Sequence, residues 1–356
     1  MLLKFPAIAR TEASTSTRAD HFNGVSLVAT AAAAIVIAYL AWLALRWAIL
    51  DATWTAASAN ECTSGGACWA VLRARYRIIL FGLYPYEEHW RPAVACILVV
   101  AAVLFLQWSK LWRLATLLWA AAAVGIAFVL LMRGGLFGLP YVSTDRWGGF
   151  ALTLFLYLVG VLLGMPTGIA LALMRRSPKG LLAGTAAFIV DAVRTLPMVM
   201  ILFTVGVLAP IVFPGSLSGD KLWRVAIAFA FVYGCYQSEI VRAGLQAIPR
   251  QQEEAAKALA LNQYMRLRLV LLPQALTNGL PATVNLLVAT FKETSIVAII
   301  GFFDFTASAQ TAYGNAEWAN AYLEVYIFVG FVYFSCATGL GSLGRRLERR
   351  LRQGGA

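Results

Sequence analysis

Four charged residues interrupt long apolar stretches of the chain: Asp191, Arg194, Lys292 and Glu293. Because a charge in lipid costs several kcal/mol, each must meet a partner or a polar pathway. Asp191 and Arg194 share one helix face and can partly neutralise each other, whereas the adjacent Lys292 and Glu293 point in different directions and need partners elsewhere. The set forms either a polar pathway or structural ion pairs that fix helix packing. Three hydroxyl groups beside the charges can add neutral hydrogen bonds: Thr195, Thr294 and Ser295.

The chain lacks the motifs of common catalytic sites. It contains no Gly-x-x-x-x-Gly-Lys-Ser/Thr loop for ATP phosphates, no Gly-x-Ser-x-Gly and no His-Glu-x-x-His. Its only histidines are His21 and His89. We therefore expect no catalytic residue and no metal site. If ATP drives this protein, another chain must bind it.

Two of the five cysteines lie close together in a loop. A disulfide between Cys62 and Cys68 would close a small loop in an oxidising compartment. The alternative is a pair of free thiols, or a metal pair for which His89 is the one candidate third ligand nearby. The remaining three fall in apolar runs and are predicted to pack there: Cys96, Cys235 and Cys336.

Composition indicates that lipid is the solvent for much of this chain. Hydrophobic residues make up 60% and charged residues 13%, against about 25% charge in soluble domains. Backbone groups in lipid must bond internally, so the runs near 20 residues predict an all-α membrane protein of about eight transmembrane helices. The predicted spans are Val25–Ile49, Ala93–Trp108, Leu111–Met132, Phe150–Met174, Leu181–Leu208, Leu222–Ile240, Gly279–Ile300 and Ala321–Leu340.

The net charge of +12 is explained by topology, so no nucleic-acid partner is expected. Cytoplasmic loops of membrane proteins gather Lys and Arg, and the bias here favours both termini in the cytoplasm. The arginine cluster at residues 73–77, which this topology places outside, argues against it, although long translocated loops follow the rule poorly. The groups placed inside are Lys4, Arg10 and Arg18; Lys110 and Arg113; Arg175, Arg176 and Lys179; residues 242–268; and residues 345–352.

The most informative segment is the loop at residues 243–276. Pro249 suits the first turn of a helix, and Glu253 and Glu254 favour its positive end. The following Ala255 and Ala256 leave a smooth surface that can enter a partner's groove.

This loop resembles the EAA motif of bacterial ATP-binding cassette (ABC) importer permeases. Glu254, Ala255 and Ala256 match the start of the motif. Val270, Leu272 and Pro273 match its end at the family spacing. Ala260 stands where the family has glycine, and alanine costs about 1 kcal/mol if that position is left-handed. The resemblance implies a coupling helix that docks on an ATPase; the alternative is a plain interfacial basic helix. The implied coupling residues are Pro249, Glu253, Glu254, Ala255, Ala256, Lys257, Ala260 and Leu261.

Flanking stretches are similar to the polar amino-acid permease family over about Gly148 to Leu340. They are residues 147–154, 191–197, 239–246 and 291–295, and they imply a five-helix permease core. Asp191 replaces the usual Glu and Glu293 the usual Asp, with charge preserved. Two N-terminal stretches, residues 66–70 and 81–85, look like the longer permease subunit of general L-amino-acid importers.

This resemblance implies a subunit of the bacterial inner membrane that imports amino acids. Its partners would be a second homologous permease in a heterodimer, two ATPase subunits and a periplasmic amino-acid-binding protein, with ATP and Mg²⁺ bound by the ATPases. Glu293 would accept the substrate's ammonium and Arg194 would hold its carboxylate. The domains would be residues 1–147 with external segment 51–91, a permease core at 148–342 containing the loop, and a basic tail at 343–356.

Two other classes of protein remain alternatives. A secondary transporter would use an ion gradient through an intramembrane carboxylate such as Glu293. A membrane-embedded enzyme would need a catalytic constellation that the chain lacks. Dependence of uptake on an ATPase would distinguish an ABC importer from a secondary transporter. A membrane-embedded enzyme would have to convert a substrate covalently.

Overall fold

The structure is a computed structural model that describes residues 16–62, 65–108, 114–215 and 219–353. Within these ranges the chain is nearly all helical and forms no strand, which confirms the all-α prediction. Lys4, Arg10, Lys110 and Arg113, which served to orient the chain, lie outside the described residues. The α-helices in the described ranges are α1 (Ser16–Leu45), α2 (Ala70–Phe81), α3 (Trp90–Trp108), α4 (Leu114–Arg133), α5 (Gly149–Arg175), α6 (Gly180–Thr195), α7 (Met198–Phe203), α8 (Ala209–Val212), α9 (Lys221–Gln246), α10 (Arg250–Ala258), α11 (Gln263–Met265), α12 (Leu272–Asn278), α13 (Leu280–Glu293), α14 (Phe305–Tyr313) and α15 (Tyr322–Gln353).

Five stretches of the described chain are long and apolar enough to cross a membrane, and six if one bent pair counts as a span. The bent pair is the predicted fifth span, which breaks by 103° between Thr195 and Met198. The predicted third span yields only a shorter apolar helix, Trp119–Arg133. The predicted sixth span is α9, whose second half carries Gln237, Glu239 and Arg242. The five stretches are Ser26–Leu50, Tyr86–Phe105, Gly149–Arg175, Leu280–Ile300 and Ala319–Arg349.

The described chain divides into two compact units, up to Ala70 and from Val71. In the first unit, α1 leads into a loop closed by a disulfide between Cys62 and Cys68, whose Cα atoms are 5.7 Å apart. The backbone passes so close to Asp51 that a Cβ on Gly66 would lie 2.1 Å from the Asp51 carbonyl oxygen. Only glycine fits there.

The centre of the second unit is the contact between α5 and α9. Gly164 and Gly168 allow this approach: a Cβ on either would lie 2.5 Å from the Ala230 carbonyl oxygen and 2.8 Å from that of Gly234, respectively. Small residues at this spacing let helix backbones meet closely. Helices α3, α4, α6, α13 and α14 pack around this pair, and α15 packs on α13 and α14. The helices of this unit are therefore arranged around one close-packed pair.

Candidate functional site

The loop after α9 folds into the helix that the sequence predicts. Helix α10 begins at Arg250, and Pro249 stands immediately before it with an extended ψ of 138°. The Pro249 carbonyl oxygen accepts the first helical hydrogen bond, from the Gln252 amide at 3.0 Å. Proline is favourable at this boundary because it lacks a donor that the helix start would leave unpaired. Glu253 lies in the first turn, where the positive end of the helix dipole stabilises a carboxylate.

Ala260 ends this helix in a left-handed conformation, with φ of +53°. The Leu261 amide donates to the Ala256 carbonyl at 3.2 Å, and the Ala260 amide donates to the Lys257 carbonyl at 2.9 Å. These two bonds form a Schellman motif, whose left-handed residue is usually glycine. The turn is thus kept although its residue is alanine, and the strain stays in the backbone.

The segment carries large apolar side chains that the described chain leaves uncovered. Leu259 and Tyr264 are 75% and 64% exposed. Glu254 and Ala255 are also exposed, whereas Ala256 is buried. Asn262 caps the short helix α11 by accepting the Met265 amide at 2.8 Å. The segment therefore exposes one carboxylate and large apolar side chains on a backbone with defined caps.

One ion pair joins α10 to the end of α5. The Arg176 guanidinium donates to the Glu253 carboxylate at 2.5 Å, and Lys257 approaches the same carboxylate at 3.8 Å. A cavity of about 370 Å³ lies beside this pair. Its charged lining is Arg175, Arg176, Arg242, Arg250 and Glu253.

A second cluster gathers on Glu239 of α9, whose side chain is 17% exposed. Arg175 of α5 donates to one carboxylate oxygen, and Arg242 donates to the other at 2.6 Å. Arg194 of α6 approaches the same group at 3.7 Å. One carboxylate thus links three helices. The sequence analysis placed Glu239 in residues 239–246, which resemble the permease family, but did not predict this role. The available signal was a single acidic residue late in an apolar run.

Asp191 and Arg194 therefore have partners on other helices instead of neutralising each other as expected. Asp191 pairs with Arg175 at 3.7 Å, and Arg194 pairs with Glu239 and also lies over the ring of Tyr236. Thr195 ends α6, and its hydroxyl donates to the Ala192 carbonyl at 2.9 Å. The expectation of a same-helix pair is corrected because both side chains reach across to α5 and α9.

The second predicted group lies at the end of α13. Lys292 and Glu293 are exposed, and no ion pair within the described residues joins them to Asp191 or Arg194. Thr294 is buried and its hydroxyl donates to the Phe291 carbonyl at 2.8 Å; the Ser295 hydroxyl donates to the Lys292 carbonyl at 3.0 Å. The predicted pathway residues thus form two separate groups.

Lys292 faces a groove between α13 and α15. The groove encloses about 580 Å³, and its apolar lining includes Val288 and Phe334. Its polar lining comprises Asn285, Lys292, Thr338, Arg345 and Glu348.

Comparison with known proteins agrees with these features. The family described as "Binding-protein-dependent transport system inner membrane component" matches residues 164–353. The chain is 35% identical to the inner membrane amino-acid ABC transporter permease protein YhdY of Escherichia coli strain K12, covering 87% of this chain and 85% of that protein. It is 29% identical to the glutamate/glutamine/aspartate/asparagine transport system permease protein BztC of Rhodobacter capsulatus, covering 94% and 93%.

A solved structure has a similar fold. It is an amino acid ABC transporter crystallised with histidines, 30% identical, with a TM-score of 0.51 over 57% of this chain and 92% of that one. The fold and the loop thus define an integral membrane subunit of the ABC transporter class. The chain belongs to the family of inner membrane components of binding-protein-dependent transport systems. It is a permease subunit, not itself the ATPase, and it works with ATPase subunits.

The strained turn gives a first testable prediction. Ala260→Gly should stabilise the end of α10 by about 1 kcal/mol, because glycine adopts the left-handed conformation without a Cβ clash. Hydrogen exchange of the Ala260 and Leu261 amides should slow roughly five-fold. The matched control is Ala258→Gly, which lies within the helix and should accelerate exchange. Acceleration by both variants would contradict the account of this turn.

Proposed function

We propose that this chain forms half of the transmembrane pathway of an importer for amino acids, coupled to its ATPases through residues 243–276. The observation that carries the proposal is that α10 and α11 leave Glu254, Leu259 and Tyr264 exposed. The relatives named as amino-acid permeases, matched over most of this chain, support the substrate class.

The same proposal names the other components. A second, homologous permease completes a heterodimer, and an external binding protein delivers the amino acid. Two ATPase subunits bind ATP and Mg²⁺, while this chain binds no cofactor. The protein lies in a bacterial inner membrane, and both of its termini lie in the cytoplasm. Residues 1–147 form an added N-terminal unit, 148–342 the permease core and 343–356 a basic tail.

The coupling surface is argued from exposure and charge. Large apolar side chains rarely form contiguous exposed patches in a finished assembly, and patches that do are typical of binding sites. Leu259, Tyr264 and Met265 are exposed large apolar side chains in the segment that also exposes Glu254. The neighbouring Glu253 is already occupied by Arg176 and Lys257. Glu254 is therefore the carboxylate that remains for a cationic group of the ATPase.

Reversal of that charge tests the docking surface. Glu254→Lys should reduce the ATPase that co-purifies in mild detergent by about ten-fold or more, because a lost attraction becomes a repulsion. Glu87→Lys makes the same charge change at an exposed site remote in the chain and should leave the ATPase bound. Equal recovery with both variants would contradict the assignment, and absence of any ATPase with the wild type would favour an ion-coupled transporter.

We further propose that Glu293 and Arg194 serve the substrate pathway, with Lys292, Asp191, Thr195, Thr294 and Ser295 beside them. An amino acid offers one ammonium and one carboxylate, which match an acidic acceptor and a guanidinium donor. The exposure of Lys292 and Glu293 supports this role, since a structural ion pair would be expected to cover them. Arg194 approaches Glu239 on another helix. This contact is compatible with a residue that both joins helices and lines a pathway.

Removal of the Glu293 charge tests the pathway. Glu293→Gln keeps the shape of the side chain but loses a charged hydrogen bond, so ATP-dependent uptake should fall about ten-fold. The amount of assembled complex should stay unchanged. Glu87→Gln serves as the control for loss of a carboxylate elsewhere. Normal uptake by the Glu293 variant would remove it from the pathway, and loss of assembly would assign it to a subunit interface.

A further inference from the structure

A tight hairpin follows α4, between Arg133 and Val142. The Val142 amide donates to the Arg133 carbonyl at 2.8 Å, and the Gly135 amide donates to the Leu139 carbonyl at 2.9 Å. At the tip, the Leu139 amide donates to the Leu136 carbonyl at 3.0 Å. Phe137 and Gly138 occupy the two central positions with φ of +55° and +76°. Positive φ at both positions identifies a type I′ turn.

Phenylalanine is unusual at this place. The first central position of a type I′ turn favours Asn, Asp or Gly, and a bulky residue with positive φ is a strained outlier. Phe137 is nevertheless 90% exposed, so packing within the described chain does not compensate for the strain. Strain that persists is a reason to look for a function. The exposed ring at the tip is therefore a candidate for contact with something outside the described residues.

A buried arginine holds the hairpin in place. Arg91, in the first turn of α3, is fully buried. Its guanidinium donates to the Leu131 carbonyl at 2.6 Å and the Pro140 carbonyl at 2.9 Å. A Cβ on Gly134 would lie 2.4 Å from this guanidinium. The base of the hairpin is thus fixed to the start of α3, and the tip projects from a rigid support.

The position of the tip points to the bilayer surface. The apolar stretch Tyr86–Phe105, which is long enough to cross a membrane, begins beside the hairpin, because Arg91 in its first turns binds the Leu131 and Pro140 carbonyls. The hairpin therefore lies where this span leaves the hydrocarbon core, at the level of the lipid headgroups. Arg133 lies over the ring of Tyr141, and Trp90 is exposed at the same end of the α3 and α4 pair. Exposed aromatic residues of this kind are typical of membrane interfaces.

We propose that the hairpin Gly134–Pro140 is a membrane anchor, with Leu136 and Phe137 inserted into the interfacial layer of the bilayer beside the end of α4. The segment reads Gly-Gly-Leu-Phe-Gly-Leu-Pro and carries no charge. Uncharged apolar side chains match the boundary of headgroups and acyl chains. A soluble binding protein docked at this end of the chain is the competing occupant, and the experiment distinguishes the two.

The test places a fluorophore at the tip. Phe137→Cys is labelled with an environment-sensitive dye, in a chain whose free cysteines at positions 96, 235 and 336 are alanine, and reconstituted into vesicles. Lipids with a shallow nitroxide should quench about half of the emission, and aqueous iodide should quench little. Asp145→Cys, an exposed polar position after the hairpin, is the control and should show the reverse. Equal access of iodide to both positions would overturn the proposal, as would shielding that appears only when a binding protein is added.

A second variant separates anchoring from folding. Phe137→Asn supplies a residue that the turn favours, so the unfolding temperature in detergent should stay equal or rise. A label at Leu136→Cys in that variant should lose most of its quenching by the lipid nitroxide. A fall in the unfolding temperature, with quenching at position 136 unchanged, would assign Phe137 to folding and contradict the anchor.

Discussion

The carboxylate of Glu239 is the group on which this arrangement of helices depends. It forms ion pairs with Arg175 of α5, Arg194 of α6 and Arg242 of its own helix. Three guanidinium groups that gather in a half-buried place repel one another, and the Glu239 carboxylate, with Asp191 beside Arg175, offsets that repulsion. The cluster therefore fixes the ends of α5, α6 and α9 as one group. Close packing of α5 on α9 through Gly164 and Gly168 brings the charged ends together.

This cluster continues directly into the coupling loop. Arg175 belongs to the Glu239 cluster, and the next residue, Arg176, holds Glu253 of α10. Adjacent residues at the end of α5 thus connect the helix bundle to the surface proposed for the ATPase. The ion pair of Arg176 and Glu253 thus joins α10 to α5, and three linking residues join α10 to α9. The Schellman turn at Ala260 keeps α10 short, so that Glu254 and Leu259 stay exposed on a defined backbone.

The sequence predicted those features that local chemistry determines. Apolar runs indicated helices in lipid, and Pro249 followed by the two acids predicted α10. The resemblance to the EAA motif, which has glycine where Ala260 stands, raised the question of a left-handed residue at its end. The break between Thr195 and Met198 was not predicted as two helices, because a continuous apolar run resembles one span even when Pro197 interrupts it. The partners of Asp191 and Arg194 were predicted wrongly because spacing along one helix cannot reveal neighbours on α5 and α9. Phe137 gave no signal, since its left-handed conformation follows from a turn that Arg91 fixes from another helix.

The proposed coupling through residues 243–276 requires a link from α10 to the helix bundle, and we infer that the pair of Arg176 and Glu253 supplies it. A charge exchange tests it most directly, with ATP hydrolysis and amino-acid uptake measured together in reconstituted vesicles. Arg176→Glu and Glu253→Arg should each lower uptake per ATP about five-fold, since a half-exposed pair contributes about 1 kcal/mol. The double variant, which restores the pair in reverse, should recover most of the wild-type ratio. Full uptake in both single variants, or a double variant no better than either, would contradict the account.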